Sequence, residues 1–225
     1  MVKNILVIVL VISIFTQVDV IAAQEMYTCK NEEVLESLMP VLFEKESSKI
    51  SRGCCIMVLM KILGVDNVTA AWYANADYYV PVFSDLEYDD VNAGYIIVSK
   101  FGGVSVGIQK NEYDPIHAFY SKRDVTNREC LTFMLRCLKN ADLVNWDTVM
   151  EDSVQIGLLQ ENELGSFVAD APLLNKDFYT LLSRMLNMNR YLYWPTEELQ
   201  AGHAKSMKID TSGSIKYIDW LDKKN

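Results

Sequence analysis

Two adjacent cysteines and one histidine are the residues in this chain best suited to covalent chemistry. Cys54 and Cys55 follow Gly53 and open an apolar stretch, Cys54–Leu63, that reads as a buried helix stopping at Gly64. A thiolate at a helix N-terminus is stabilised by the helix dipole, and a nearby imidazole such as His117 could take its proton. A second candidate nucleophile is Ser105. Gly103–Val104–Ser105–Val106–Gly107 matches G-x-S-x-G, the turn that lifts a serine hydroxyl beside oxyanion-hole amides. That turn must feed a helix, however, and Ile108–Asp114 has no helical pattern. Ser105 instead falls within an alternating run, and a glycine-containing hairpin strand is expected there. His117 also follows Ser105 too soon for the usual order, although His203 does not. Metal chemistry has less support. The two histidines have no Cys or His partner at ligand spacing. Asp85, Glu87 and Asp89 alternate like the start of a calcium loop. Its sixth position would be Asp90 rather than Gly, and its twelfth Ile96 rather than Glu, so a solvated acidic loop is expected. Neither a metal site nor a cofactor is expected.

The order of helix-borne cysteine followed by strand-borne histidine resembles that of papain-like peptidases, in architecture only. The third member such a site implies, an Asn or Asp after the histidine, would fall on Asp124. The competing account is a disulfide cysteine and a partly buried histidine. Aromatic residues form a separate concentration: Trp72, Tyr73, Tyr78, Tyr79, Phe83, Tyr88 and Tyr95. They are expected mainly in the core, with Trp72, Tyr73, Tyr78 and Tyr79 the candidates for a ligand pocket or partner patch. Tyr191, Tyr193 and Trp194 form a second such group.

These residues must be held by elements of two kinds. Asn31 caps a helix through Leu42 that Pro40 kinks or splits, and a polar link over Glu44–Arg52 leads to the cysteine-bearing helix. Asp66 caps a third helix through Tyr73. Tyr78–Phe83, Tyr95–Ser99, Val104–Ile108 and Ile116–Tyr120 are β-branched and aromatic runs that predict short strands, with Lys100–Gly103 as a hairpin turn. Their links are too short for crossover helices, so the pairing is expected to be antiparallel. Thr126 and Glu129 form a capping box ahead of a helix to Leu138. Helical patterns follow at Asn145–Leu159, around Leu164, at Lys176–Met188 and after Pro195. A C-terminal hairpin turns at Thr211–Ser214, between Met207 and Ile209 on one side and Ile215 and Tyr217 on the other. No internal repeat is visible. The expected fold is one α+β domain, with antiparallel strands in the middle flanked by amphipathic helices and stapled by disulfides.

The N-terminus assigns the compartment. Lys3 precedes the apolar run Ile5–Ile14, which is too short to span a bilayer, and small residues Ala22 and Ala23 close the segment. Residues 1–23 therefore read as a secretory signal peptide, leaving 202 of 225 residues in an oxidising environment. No second apolar stretch in the mature chain is long enough to span a membrane. Lys3 and Asp19 cancel, so the mature chain keeps the net charge of −9, which disfavours nucleic acid and anionic membranes. Export also recasts the five cysteines, Cys29, Cys54, Cys55, Cys130 and Cys137, as staples. Cys130 and Cys137 lie two helical turns apart, roughly 10 Å, beyond disulfide reach. Adjacent Cys54 and Cys55 could bond only through a strained ring. Cys130 and Cys137 are thus expected to pair with two of Cys29, Cys54 and Cys55, leaving one sulfur over or available for a covalent dimer. Asn67–Val68–Thr69 is an N-glycosylation sequon that the secretory route makes usable. The expected function is that of a secreted, acidic, non-catalytic protein binding an extracellular protein or small ligand. The alternatives are a secreted cysteine hydrolase using Cys54 or Cys55 with His117, and a carrier of an apolar ligand.

Overall fold

The computed structural model describes residues 33–37, 48–75, 82–87, 89–109, 115–195 and 207–224. After a helical stretch at 33–37, the helices are α1 (Arg52–Ile62), α2 (Asn67–Asn75), α3 (Ala93–Phe101), α4 (Asn127–Leu138), α5 (Val149–Gln155), α6 (Asn175–Leu186) and α7 (Tyr217–Lys224). Strands β1 (Leu192–Tyr193) and β2 (Lys208–Ile209) pair antiparallel, Leu192 opposite Ile209. The architecture is α+β and rich in helix. Among the described residues no helix is long and apolar enough to cross a membrane. The expected signal segment, Cys29, Pro40, Tyr78, Tyr79, Tyr88, His203 and the part of the expected last helix beyond Pro195 lie outside the described residues.

Three apolar residues organise the centre. Ile50, Val125 and Leu173 each sit in an extended stretch that runs directly into a helix: α1, α4 and α6 respectively. Their backbones close a ring. The Val125 amide donates to the Ile50 carbonyl (2.9 Å), Leu173 to Val125 (2.9 Å) and Ile50 to Leu173 (3.2 Å). Two residues further on the pattern recurs, with Arg52 donating to Arg123, Asn127 to Ala171 and Asn175 to Ser48 (2.8, 3.0 and 2.8 Å). The antiparallel bridges Ser51–Asp124, Thr126–Pro172 and Lys49–Leu174 obey the same cyclic rule. All three ring side chains are buried. The chain thus has an approximate threefold hub, which satisfies backbone groups that buried loops would otherwise leave unpaired. Although no repeat is visible in the sequence, the backbone carries one.

Several sequence expectations need correction. Tyr95–Ser99 is helical rather than a strand. Apolar runs this short do not distinguish the two, and here Ala93–Ser99 is buried all round, as a helix inside a core requires. Gly94 allows the contact that decides it: a Cβ there would lie 1.8 Å from the Ala70 carbonyl oxygen of α2. Lys100–Gly103 is consequently the end of α3, with Gly103 at φ +73°, and not a hairpin turn. Of the expected antiparallel strands, the described residues keep one bridge, Ile108–Ala118, between the third and fourth runs, closed by two hydrogen bonds of 2.7 and 2.9 Å. At the C-terminus, Lys208–Ile209 pairs back to Leu192–Tyr193 instead of forward. Ile215 takes the Arg190 amide (2.7 Å), and Tyr217 already belongs to α7. Among the described residues no disulfide is at bonding distance, and the sulfurs of Cys54, Cys55, Cys130 and Cys137 are unbonded. The expected helix Asn145–Leu159 shortens to α5, because Asn145 Oδ1 accepts from the Asp147 amide (3.0 Å) and Gly157 (φ +81°) ends it.

Candidate functional site

The serine of the G-x-S-x-G match is fully buried. Its hydroxyl lies 2.7 Å from Ser99 Oγ, and Ser99 in turn donates to the Ile96 carbonyl (2.7 Å). It joins the end of α3 to the following loop and presents no hydroxyl to a substrate. His117 sits across the same loop. Its Nδ1 is 2.9 Å from the Val106 carbonyl, an acceptor, so Nδ1 carries the proton. No hydrogen bond joins His117 to Ser105, Cys54 or Cys55.

Ser51 caps α1 and accepts the Cys54 amide (3.2 Å), which places both cysteines in the first turn as expected. Their environment opposes thiolate chemistry. Burial, reinforced by the neighbouring sulfur of Cys55 and only partly offset by Lys61, pushes the Cys54 thiol up to about 11. Cys55 is fully buried and faces Cys130 of α4, with the two sulfurs 3.8 Å apart. Burial likewise raises the thiols of Cys130 and Cys137. Cys29 lies outside the described residues. Asp124 is held in the hub through its backbone, and its half-exposed carboxylate pairs with Lys49 (3.2 Å).

The acidic loop is also engaged internally. Asp85 accepts the Phe119 and Tyr120 amides (2.6 and 2.7 Å), and Asp90 accepts the Ser121 hydroxyl and the Asn92 amide. Among the described residues no group of three or more His, Cys, Asp or Glu is placed to hold a metal ion. A charged cluster with little sequence signature joins α1 to α4. Buried Arg52 lies between the Phe119 and Phe133 rings (4.9 and 5.1 Å), donates to the Phe119 carbonyl (2.9 Å) and pairs with Glu129 (2.8 Å). Arg123 joins the same carboxylate, whose other oxygen accepts the Thr126 amide (3.0 Å). Burial alone would raise the Glu129 carboxyl, but Arg52, the Thr126 amide and Arg123 together hold it below its ordinary value. Only the capping box, which names Glu129, was a sequence signal for this cluster.

Aromatic rings form the other concentration. Trp72 meets Tyr73 edge-on (4.9 Å), and Tyr73 meets Phe101 (6.1 Å) and Trp194 (5.9 Å). Tyr73 and Trp194 are buried, whereas Trp72 is 48% and Phe101 65% exposed. The structure therefore places Trp72 and Tyr73 together, as members of one patch. Phe101 joins it because α3 is a helix packed on α2, which a hairpin turn at that position had hidden. Tyr78 and Tyr79 lie outside the described residues. Asn67 is exposed at the start of α2, and its Oδ1 accepts the Tyr95 hydroxyl (2.6 Å), a bond that does not involve Nδ2.

No family model matches this chain, and neither a curated protein nor a solved structure matches it.

Proposed function

We propose that this chain is an exported, non-catalytic binding protein, and that it contacts an extracellular protein through the aromatic cluster of Trp72, Tyr73 and Phe101. The observation that carries this is the pairing of two outward rings with a fixed aromatic base. Trp72 and Phe101 stand in water at the ends of two packed helices, over buried Tyr73 and Trp194. Rigid, partly exposed aromatic anchors lose little conformational freedom on binding and dominate interface energies. By contrast, Cys54, Cys55, Ser105 and His117 are each engaged in internal contacts or held in a protonated state that opposes nucleophilic attack. The net charge of −9 favours a partner with a basic rim. Export further implies cleavage after Ala23, a glycan on Asn67 and at least one disulfide.

Secretory expression tests the first half of this proposal. The chain should appear in the medium beginning at Gln24, with a glycosidase-sensitive mass on the peptide carrying Asn67. Retention inside the cell with residues 1–23 intact would refute export. For the second half, the wild-type protein and the W72A and F101A variants are immobilised and exposed to extracellular fluid. One captured protein should be depleted by both substitutions. Equal capture by all three would remove the aromatic surface. Hydrolysis abolished by alkylating Cys54 would revive the peptidase alternative.

A further inference from the structure

We infer that Cys55 and Cys130 are the pair joined by a disulfide in the exported protein, with Cys137 remaining a buried thiol. This rests on the export proposed above and selects one bond from those the five cysteines allow. The hub supplies the reason. Counting from the ring residues, Cys55 stands five positions after Ile50, and Cys130 and Phe178 stand five after Val125 and Leu173. The three are equivalent positions at the base of three equivalent helices, and all are buried. Two of the three happen to be cysteine, and their sulfurs lie 3.8 Å apart, in contact but unbonded. A disulfide needs about 2.04 Å, which side-chain rotation within the first turns of α1 and α4 can supply. Cys137 stands twelve positions after Val125. Its equivalents are Ile62 and Met185, so no second thiol occupies its level of the hub. Cys54 is turned partly to the surface, away from this layer.

The chemistry requires a disulfide-bearing oxidant such as oxidised glutathione. One cysteine thiolate attacks it, forming a mixed disulfide and releasing one glutathione. The second cysteine then attacks the protein sulfur of that mixed disulfide, the Cys55–Cys130 bond forms and the second glutathione leaves. Two protein thiols lose two electrons and two protons, and the oxidant becomes two thiols. Neither sulfur can meet the oxidant in the folded core, so the bond must form during folding.

The test uses the mature chain, refolded from denaturant with and without oxidised glutathione, then alkylated and cut with trypsin. Trypsin places Cys54 and Cys55 on Gly53–Lys61, Cys130 on Glu129–Arg136 and Cys137 on Cys137–Lys139. A link between the first two peptides is expected, persisting in C54S and lost in C55S, with Cys137 alkylated. The folded, reduced protein should gain the same link at least tenfold more slowly. A link to Cys137–Lys139, a link lost in C54S, or no link after oxidative refolding would overturn the pairing. The refolding experiment does not depend on export. A chain missing from the medium that still forms the link loses only the export, and a secreted chain without it loses only the pair.

Discussion

Arg52 and Glu129 illustrate how strongly single residues are constrained here. A guanidinium with 2% exposure is tolerable only because a carboxylate, a carbonyl and two ring faces surround it. Glu129→Gln would keep the shape but leave Arg52 charged and unpaired. Breaking a buried pair in this way costs about 3–5 kcal/mol, measurable as a lower urea midpoint. The sign of the pH effect follows from the depressed Glu129 carboxyl. Its contribution is fully present above the unfolded value of about 4.3 and disappears as pH falls through the lower folded value. Thermal melts from pH 7 to pH 2 should therefore show an acid loss in wild type that is shallower in E129Q, and equal slopes would refute the assignment. Cys54 gives an independent check. With its thiol near 11, alkylation at pH 8 should run about a hundredfold slower than for an ordinary thiol. A rate matching a free cysteine would mean that the first turn of α1 is open.

At the level of elements, the contact between α2 and α3 is the most sharply specified. Gly94→Ala would ordinarily stabilise a helix by about 1 kcal/mol. Here the new methyl would meet the Ala70 carbonyl at 1.8 Å, so α2 must move. Net destabilisation of about 1–3 kcal/mol is expected by chemical denaturation, and a neutral or stabilising result would show that the helices pack elsewhere. The same contact shows what could be read in advance. Helices α1, α2, α4 and α6 were legible, because an apolar stretch ending at Gly64, caps at Asp66 and Thr126 and a stripe such as Phe178, Leu181, Leu182 and Met185 are local signals. Helix α3 was not, because Tyr95, Ile96, Ile97 and Val98 are strand-forming by type and their helicity comes from being enclosed on all sides. The hub was hidden for another reason. Its hydrogen bonds are made by backbone atoms, so they constrain the side chains of Ile50, Val125 and Leu173 only to be apolar, and the intervals between them are unequal. A faint trace remains at the far ends of the three helices, where Lys61, Arg136 and Arg184 occupy equivalent positions eleven residues after the ring. For the candidate site, Trp72 and Tyr73 were found by aromatic density alone, while Phe101 became visible only once α3 was known to be a helix.

For the whole molecule, the hub joins parts of the chain that are distant in sequence, and a Cys55–Cys130 bond would lock two of its three arms. The two residues are 75 apart. Closing a loop of that length removes unfolded-state entropy worth about 4.5 kcal/mol at 25 °C. Oxidised protein should therefore exceed reduced protein in unfolding free energy by several kcal/mol, and equal stabilities would deny the bond a structural role. Such rigidity would suit a protein working outside the cell, since a fixed scaffold lets Trp72 and Phe101 wait in position over Tyr73 and Trp194. The decisive measurement is the affinity of the captured extracellular protein for the wild-type chain and for W72A, titrated side by side under native conditions. An anchor of this kind carries about 2 kcal/mol, so W72A should bind roughly thirtyfold more weakly while melting at the same temperature. Identical dissociation constants would show that the aromatic cluster is not the binding surface.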